Sequence, residues 1–287
     1  MGIDRDIDEF LKAIRDRNIQ AAKRVMKRYG NTDLRFAVIE CRPAKVRRLL
    51  SRGADPNAKN DENSTALHGA AEYCPEAIPI LLEHGADPHA RSAGGLTPLH
   101  IATLRGPVEA TKMLMPHTNI NIRDNDGRTP LHLALEYSHC DVALLLHGAD
   151  INTADNSGRT PLHLAAGAGC VEVVKQLLER GADPNVYDKN RNSVLHYAAK
   201  SLNKDIVKLI LPVYRNVNMK NSYGETPLKV LIRECAKWEQ WKQCYEIVKM
   251  LIEHGADPTI PDAKGYTPLD SAKLIGCPKL IELLSLR

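Results

Sequence analysis

The sequence predicts an all-α solenoid in which short helix–turn–helix units stack on one another. Two recurring phrases predict this fold class: Thr-Pro-Leu-His or a variant of it occurs eight times, and Gly-Ala-Asp keeps step with it. Hydrophobic residues make up 43% of the chain but aromatic residues only 5%, so small and aliphatic side chains must fill thin layers. Because a short unit cannot bury its apolar face alone, its neighbours must pack against it.

The repeated tetrapeptide has a nearly constant period. Its first residue falls at positions 32, 65, 97, 129, 160, 193, 226 and 267, so the spacings are 33, 32, 32, 31, 33, 33 and 41 residues. Complete copies stand at Thr97–His100, Thr129–His132 and Thr160–His163. A period near 33 residues predicts one structural unit for each copy.

The elements of one unit are readable at residues 155–185. Thr160 is a helix N-cap residue, and Pro161 follows at the first helical position, where its missing N–H is harmless. Gly169 ends this helix, and apolar residues at 3–4 spacing predict a second helix from Val171 onwards. Gly181 ends the second helix, because glycine tolerates a positive φ.

The phrase Thr-Pro-Leu-His-x-Ala at this period resembles the ankyrin repeat, over essentially the whole chain. The resemblance implies tight, hairpin-like turns between helix pairs and a concave surface formed by the turn tips and the exposed side of each first helix. The tip positions that it implies are Glu62, Leu96, Arg128, Arg159, Tyr223 and Tyr266. The helix positions are Glu72, Tyr73, Leu104, Arg105, Glu136, Tyr137 and Lys200.

One part of this surface is the first candidate for partner binding. Its residues are expected to be adjacent in the stack, and tyrosine and arginine are typical interface anchors. The alternative is an ordinary solvated groove lining. Gly167 and Ala168 occupy the same positions one repeat later, so the groove is expected to be open there. The candidate patch consists of Tyr73, Leu104, Arg105 and Tyr137.

The 41-residue spacing marks an insertion within residues 236–244. Both tryptophans of the chain, Trp238 and Trp241, fall inside it. On a helix, residues three apart share one face. The pair either pins the insertion onto the next repeat or forms an exposed aromatic anchor for a partner.

Residues 1–287 are predicted to form a single repeat domain. Residues 1–31 are expected to be an N-terminal capping helix pair and residues 267–287 a C-terminal capping unit, since terminal repeats need a polar outer face. Residues 1–60 hold 15 Lys and Arg against 8 Asp and Glu. Capping explains much of this basic bias; the alternative is binding of nucleic acid or an acidic lipid surface.

Motifs for catalysis and for cofactor binding are missing from the sequence. It contains no HExxH, no glycine-rich phosphate loop with a lysine and no Gly-x-Ser-x-Gly elbow. We therefore expect neither an enzyme nor a bound cofactor. One histidine stands at a fixed slot in five repeats, which favours a hydrogen-bonded structural role over a metal site. These residues are His68, His100, His132, His163 and His196.

Most of the seven cysteines are expected at the turns between paired helices. Stacked helix axes lie about 8–10 Å apart, whereas disulfide Cα atoms lie about 4.4–6.8 Å apart. We therefore expect reduced cysteines and an intracellular protein. The sequence shows no signal peptide and no membrane span, and Ile7 occupies the position where a myristoylation signal needs Ser or Thr.

Three positions break the repeat pattern. His117 and Tyr214 stand where other repeats have the glycine that ends the second helix, so these turns are expected to take another shape. Pro79 falls inside a predicted second helix and should bend it.

These observations predict a protein-interaction module that binds a protein or peptide in its concave groove. Adaptor, inhibitor and host-directed effector are the roles that the resemblance implies. Binding of nucleic acid or acidic lipid through the basic N-terminal units is the alternative. We expect a monomer in the cytoplasm, with the nucleus or delivery into a host cell also open.

Overall fold

A computed structural model describes residues 32–238 and 241–285. Within these two ranges it contains sixteen α-helices and no β-strand, apart from an isolated bridge between Tyr187 and Ser193. Among the helices of the described part, none combines the length and apolarity that crossing a membrane requires. The all-α prediction is therefore confirmed. The predicted capping pair at residues 1–31 lies outside the described residues.

The chain divides into two compact units, residues 1–125 and residues 126–287. The described part of the first unit contains three helix pairs, and a short 3₁₀ turn, Met115–His117, follows the last of them. The helices are α1 Thr32–Ile39, α2 Pro43–Ser51, α3 Ala66–Tyr73, α4 Ala77–Glu83, α5 Pro98–Arg105 and α6 Val108–Leu114.

The second unit contains five helix pairs in its described part, with a 3₁₀ turn, Leu211–Val213, after α12. The helices are α7 Pro130–Glu136, α8 Cys140–Leu145, α9 Pro161–Ala168, α10 Val171–Glu179, α11 Val194–Ser201, α12 Lys204–Ile210, α13 Pro227–Trp238, α14 Trp241–Glu253, α15 Pro268–Ile275 and α16 Pro278–Ser285.

Within each unit the first helix of a repeat packs on the first helix of the next, and second helices pack on second helices. The layers are thin and aliphatic: Leu67 and Ala70 of α3 and Leu99 and Ala102 of α5 are fully buried. Burying a leucine side chain contributes about 1.5–3 kcal/mol. Because neighbouring repeats supply this burial, no repeat holds its core alone.

The predicted helix starts are confirmed. Thr97 is the N-cap of α5 in extended conformation, and its N–H donates to Nδ1 of His100 over 3.1 Å. The His100 N–H donates back to Thr97 Oγ1 at 3.5 Å. The same reciprocal cap begins the other first helices at Thr65, Thr129, Thr160, Ser193 and Thr267.

The predicted helix ends are confirmed at most repeats but not at the shortest one. Gly181 follows α10 with a φ of 87°, the left-handed conformation expected of a terminating glycine. In the repeat that spans only 31 residues, α8 ends at Leu145 and Gly148 does not adopt a positive φ. Because this repeat is shorter than its neighbours, its second helix is shorter too and ends without a left-handed glycine.

The three departures have different outcomes. The turns at His117 and Tyr214 do take another shape, because a 3₁₀ turn replaces the left-handed glycine and Tyr214 has a φ of −95°. The expected place of Pro79 in the interior of a second helix is wrong, and the bend stays a prediction. Helix α4 begins at Ala77, so Pro79 is its third residue, where a missing N–H removes no intrahelical hydrogen bond.

The prediction of reduced, widely separated cysteines is wrong for six of the seven. Disulfides join Cys41 to Cys74 and Cys140 to Cys170 across successive repeats, with Cα–Cα distances of 5.0 and 5.5 Å. The spacing of helix axes did not apply to these distances, because Cys41, Cys74 and Cys170 lie outside the helices, in the turns between them. Cys277 is the remaining thiol.

The third disulfide joins Cys235 to Cys244, at a Cα–Cα distance of 5.9 Å. It ties α13 to α14 and closes the insertion that carries the tryptophans. The side chains of Trp238 and Trp241 lie outside the described residues. Whether they pack or bind therefore stays a prediction.

Candidate functional site

The hairpin tips within each unit are joined by backbone hydrogen bonds. In the first unit the Ala93 N–H donates to Glu62 O at 2.7 Å. In the second unit the Lys189 N–H donates to Ser157 O at 2.8 Å, and the Ala263 N–H donates to Tyr223 O at 3.0 Å. Successive tips are thus held as a preformed platform, and binding there costs little ordering of the backbone.

His68, His132 and His196 bridge one repeat to the next, whereas Nε2 of His163 is buried without a hydrogen-bond partner among the described residues. Nε2 of His68 lies 3.0 Å from Leu96 O, and Nε2 of His132 and of His196 makes the corresponding contact with the tip that follows. Because Nδ1 accepts the N–H of the helix cap, the proton must sit on Nε2, which donates to the carbonyl. The structural interpretation of these histidines is confirmed.

Burial keeps these imidazoles neutral. It lowers the pKa of His68 and of His163 to about 4, and it lowers the pKa of His132 and His196 as well. Backbone carbonyl contacts oppose the shift without reversing it. A neutral imidazole is the form that accepts one hydrogen bond and donates another, as this double bridge requires.

Lys229 occupies the histidine slot in the repeat that begins at Thr226. Its Nζ donates to the backbone oxygens of Tyr266 at 2.9 Å and Thr267 at 3.1 Å, and it lies 3.2 Å from Asp262 Oδ2. The lysine therefore bridges the next repeat as a histidine would, but with a buried charge. The sequence shows the substitution but not the bridge.

In the first unit, the predicted contact residues are engaged with one another. Arg105 Nη2 lies 2.7 Å from Glu72 Oε1, and only 7% of the Glu72 side chain is exposed. Tyr73 is partly buried together with its hydroxyl, and Leu104 is partly buried too. Tyr73 and Glu72 are thus mainly scaffold, which differs from the expectation of a solvent-facing anchor.

In the second unit, Glu136 links two successive tips. Its carboxylate lies 3.2 Å from Arg128 Nη1 and 2.8 Å from Arg159 Nη1. Asp155 Oδ2 accepts from Arg159 Nε at 2.7 Å. Burial lowers the pKa of Arg159. The hydrogen bonds that its guanidinium donates to Asp155 and Glu136 outweigh burial, so the pKa is raised overall. This network fixes the guanidinium groups in place.

Three of the predicted aromatic residues do face solvent. Tyr137, at the C-terminal end of α7, is 51% exposed, and Tyr223, at a hairpin tip, is 65% exposed. The tip residue Tyr266 is 49% exposed. Single exposed tyrosines are ordinary, but these three occupy the positions that the repeat pattern assigns to contacts.

The expected open stretch at Gly167 is wrong. A Cβ at Gly167 would lie 3.0 Å from Cδ1 of Tyr197, whose ring fills the space. The Tyr197 hydroxyl donates to Asp188 Oδ2 at 2.9 Å, and its ring meets His163 edge to face. Tyr197 stands one position after the histidine slot, where the other repeats have smaller side chains. Its larger ring was the signal in the sequence that the space could be filled.

Leu274 and Lys264 are candidate site residues that the sequence reasoning missed. Leu274 is 77% exposed, and it stands seven residues after Thr267, just as Leu104 stands seven after Thr97. Repeating the slot transfer in the last repeat would have found it. Lys264 lies in the turn before Tyr266 and is exposed.

The basic bias of the first unit is partly neutralised in its described part. Lys45 and Arg42 lie 3.7 and 3.4 Å from Glu40, and Arg47 lies 3.2 Å from Glu83. Arg35 is buried and donates to the Ser64 carbonyl. These contacts favour a structural role for the cations over a phosphate-binding surface.

Comparison with known proteins agrees with this architecture. A family model described as ankyrin repeats (3 copies) matches residues 34–124, 67–155, 117–188 and 172–262, which together span more than half of the chain. An ankyrin repeat protein of Rickettsia bellii (strain RML369-C) is 46% identical over 55 residues, which are 19% of this chain. The aligned part spans only 28% of that relative. The chain belongs to the ankyrin-repeat family.

Proposed function

We propose that this chain is a protein-interaction module that holds a partner protein or peptide on its hairpin tips and first helices. Ankyrin repeats are generally modules of this kind and are typically non-enzymatic. Adaptor, inhibitor and host-directed effector are the roles that fit. The observation that carries the proposal is the exposure of Tyr137, Tyr223 and Tyr266 at contact positions.

Rigid aromatic anchors on a fixed backbone suit recognition. A tyrosine supplies a large contact area at low conformational cost, and aromatic residues are enriched among interface hot spots. Here the tips are fixed by backbone hydrogen bonds and the neighbouring arginines by Glu136. A partner would therefore meet a preorganised surface.

Affinity capture with matched variants tests the proposal. The full chain and a Tyr137→Ala/Tyr223→Ala variant are used to purify partners from the native cell, and a Tyr187→Ala variant serves as control because Tyr187 is 43% exposed but is not at a contact position. We expect the control to retain the partner and the double variant to lose it. Equal recovery with the double variant would place binding elsewhere.

The location of the protein is part of this proposal. Function inside a cell remains our prediction, yet three disulfides oppose a permanently reducing compartment. The redox state of the six paired cysteines in native cells decides between a reducing and an oxidising location. A single-chain monomer is also part of the proposal, with sedimentation as its test.

A further inference from the structure

A groove runs along the last three repeats, whose first helices are α11, α13 and α15. It consists of two adjoining depressions of about 670 and about 190 Å³ that share Tyr223, Glu225 and Arg233 in their walls. Its size is that of a site for a short peptide segment.

Several exposed residues in the walls of the groove are aromatic or aliphatic. Tyr223, Tyr266 and Leu274 line the larger depression and are 65%, 49% and 77% exposed. Ile275 lies beside them. Clustered exposure of this kind in a concavity marks an interaction site rather than scattered surface residues.

The acidic groups of the groove are withdrawn and already paired. Glu225 accepts from Arg233, and its side chain is 12% exposed; Asp262 faces Lys229 and is 13% exposed. Burial raises the pKa of Asp262. Hydrogen bonds from the Tyr266 and Lys264 N–H groups and from Lys229 outweigh burial, so the pKa is lowered overall and the carboxylate stays ionised. Arg233 is also held by Glu234.

The charges that remain accessible in the groove are cationic. Lys200 lines the smaller depression and Lys264 the larger one, and both are exposed. Arg233 lines both depressions, and its side chain is 51% exposed. The groove therefore combines accessible cations with exposed apolar and aromatic side chains.

We infer that this groove binds an acidic peptide segment that also carries an apolar side chain. The apolar group packs among Tyr223, Tyr266 and Leu274, while the carboxylates meet Lys200 and Lys264. This inference rests on the proposed function and names its partner chemistry.

A nucleic acid fits the groove less well. A phosphodiester chain needs a cation along each step of its backbone, whereas Lys229 and Arg233 of this groove are already paired with Asp262 and Glu225.

Selection from a display library of random dodecapeptides against the immobilised full chain tests the inference. We expect enriched peptides to combine carboxylates with at least one apolar residue. A Lys200→Glu/Lys264→Glu variant should bind such a peptide at least about tenfold more weakly in fluorescence anisotropy. A Lys208→Glu variant, changed at an exposed residue of α12 outside the groove, should bind it unchanged.

Each other outcome overturns the inference. The selection overturns it if neutral or basic peptides are enriched, or if no peptide is enriched. The affinity measurement overturns it if the Lys200→Glu/Lys264→Glu variant binds as tightly as the parent. Tighter binding of a polyuridine oligonucleotide than of any peptide would also overturn it. The proposed function fails separately, through the Tyr137→Ala/Tyr223→Ala capture experiment. An intact, unchanged melting curve of each lysine variant excludes unfolding as the cause of lost binding.

Discussion

Lys229 donates a 2.9 Å hydrogen bond from its Nζ to the backbone oxygen of Tyr266. In earlier repeats a neutral histidine makes this bridge to the next tip, as His196 does to Glu225 O at 3.0 Å. The lysine brings a charge, and Asp262 at 3.2 Å balances it. The attachment of the last repeat is therefore electrostatic where the other bridges are neutral.

Removing this charge should loosen the last repeat. We expect Lys229→Met to lower the free energy of unfolding by about 3–5 kcal/mol, because Asp262 loses a buried partner and two carbonyl groups lose a donor. Urea unfolding followed by circular dichroism measures the change. Lys279→Met, at an exposed position of α16, should stay within about 0.5 kcal/mol of the parent. Equal stability of the two variants would mean that the ion pair is not structural.

The buried histidines predict a loss of stability in mild acid. The folded chain keeps His68 and His163 neutral down to about pH 4, whereas an unfolded histidine protonates near pH 6.5. The unfolded state thus binds more protons between these values, so stability is complete above about pH 6.5 and falls as the pH drops.

At about pH 5, each of these two histidines should lower the free energy of unfolding by roughly 2 kcal/mol relative to neutral pH. Urea titrations at neutral pH and at about pH 5 measure the loss. A His163→Gln variant should lose less than the parent over the same interval, since one titrating group is gone. A parent whose unfolding free energy is the same at both pH values would contradict the assignment.

The disulfides make a prediction about labelling. Iodoacetamide added to the unfolded but unreduced chain should modify Cys277 alone, whereas prior reduction should expose all seven cysteines. Mass spectrometry counts the labels. More than one label without reduction would show that at least one of the three disulfides is open.

Removing one of these disulfides should also destabilise the fold. The Cys41–Cys74 bond closes a segment with a sequence separation of 33. Chain-entropy estimates for such a loop give about 3–4 kcal/mol. Cys41→Ser should lower the stability of the oxidised protein by about this amount and leave the reduced protein nearly unchanged. An equal loss in both states would indicate a packing effect instead.

Tyr197 should be a core residue in spite of its place on a first helix. We expect Tyr197→Ala to cost about 3–5 kcal/mol, because it empties the space above Gly167 and removes the hydroxyl donor to Asp188. Tyr187→Ala, at a tyrosine that is 43% exposed, should cost less than about 1 kcal/mol. Thermal unfolding of the two variants compares them, and similar losses would refute the assignment.

Much of the fold could be predicted because its signals are local. The cap at Thr160, the proline after it and the glycine at 181 each act within a few residues of themselves, and the repeated phrase places them in every unit. The histidine slot was predictable for the same reason. Five equivalent residues at one position in a repeat share one environment.

The rest depends on distances between repeats, which the sequence does not state. The pairing of Cys140 with Cys170, the ring of Tyr197 over Gly167 and the bridge from Lys229 all join residues that are far apart in the chain. Axis spacings alone gave the wrong result for the cysteines. The contact positions stay predictions, and the repeat pattern could not show that Tyr73 is partly buried while Tyr223 faces solvent.

Site-specific photocrosslinking tests most directly whether the tips and first helices hold the partner. A photoreactive phenylalanine analogue replaces Tyr223 or Tyr266 in one set of proteins and the exposed second-helix residues Glu179 or Lys208 in another. We predict that the captured partner crosslinks from the two tyrosine positions and not from the second helices. Crosslinks from Glu179 and Lys208 with none from the tips would contradict the account.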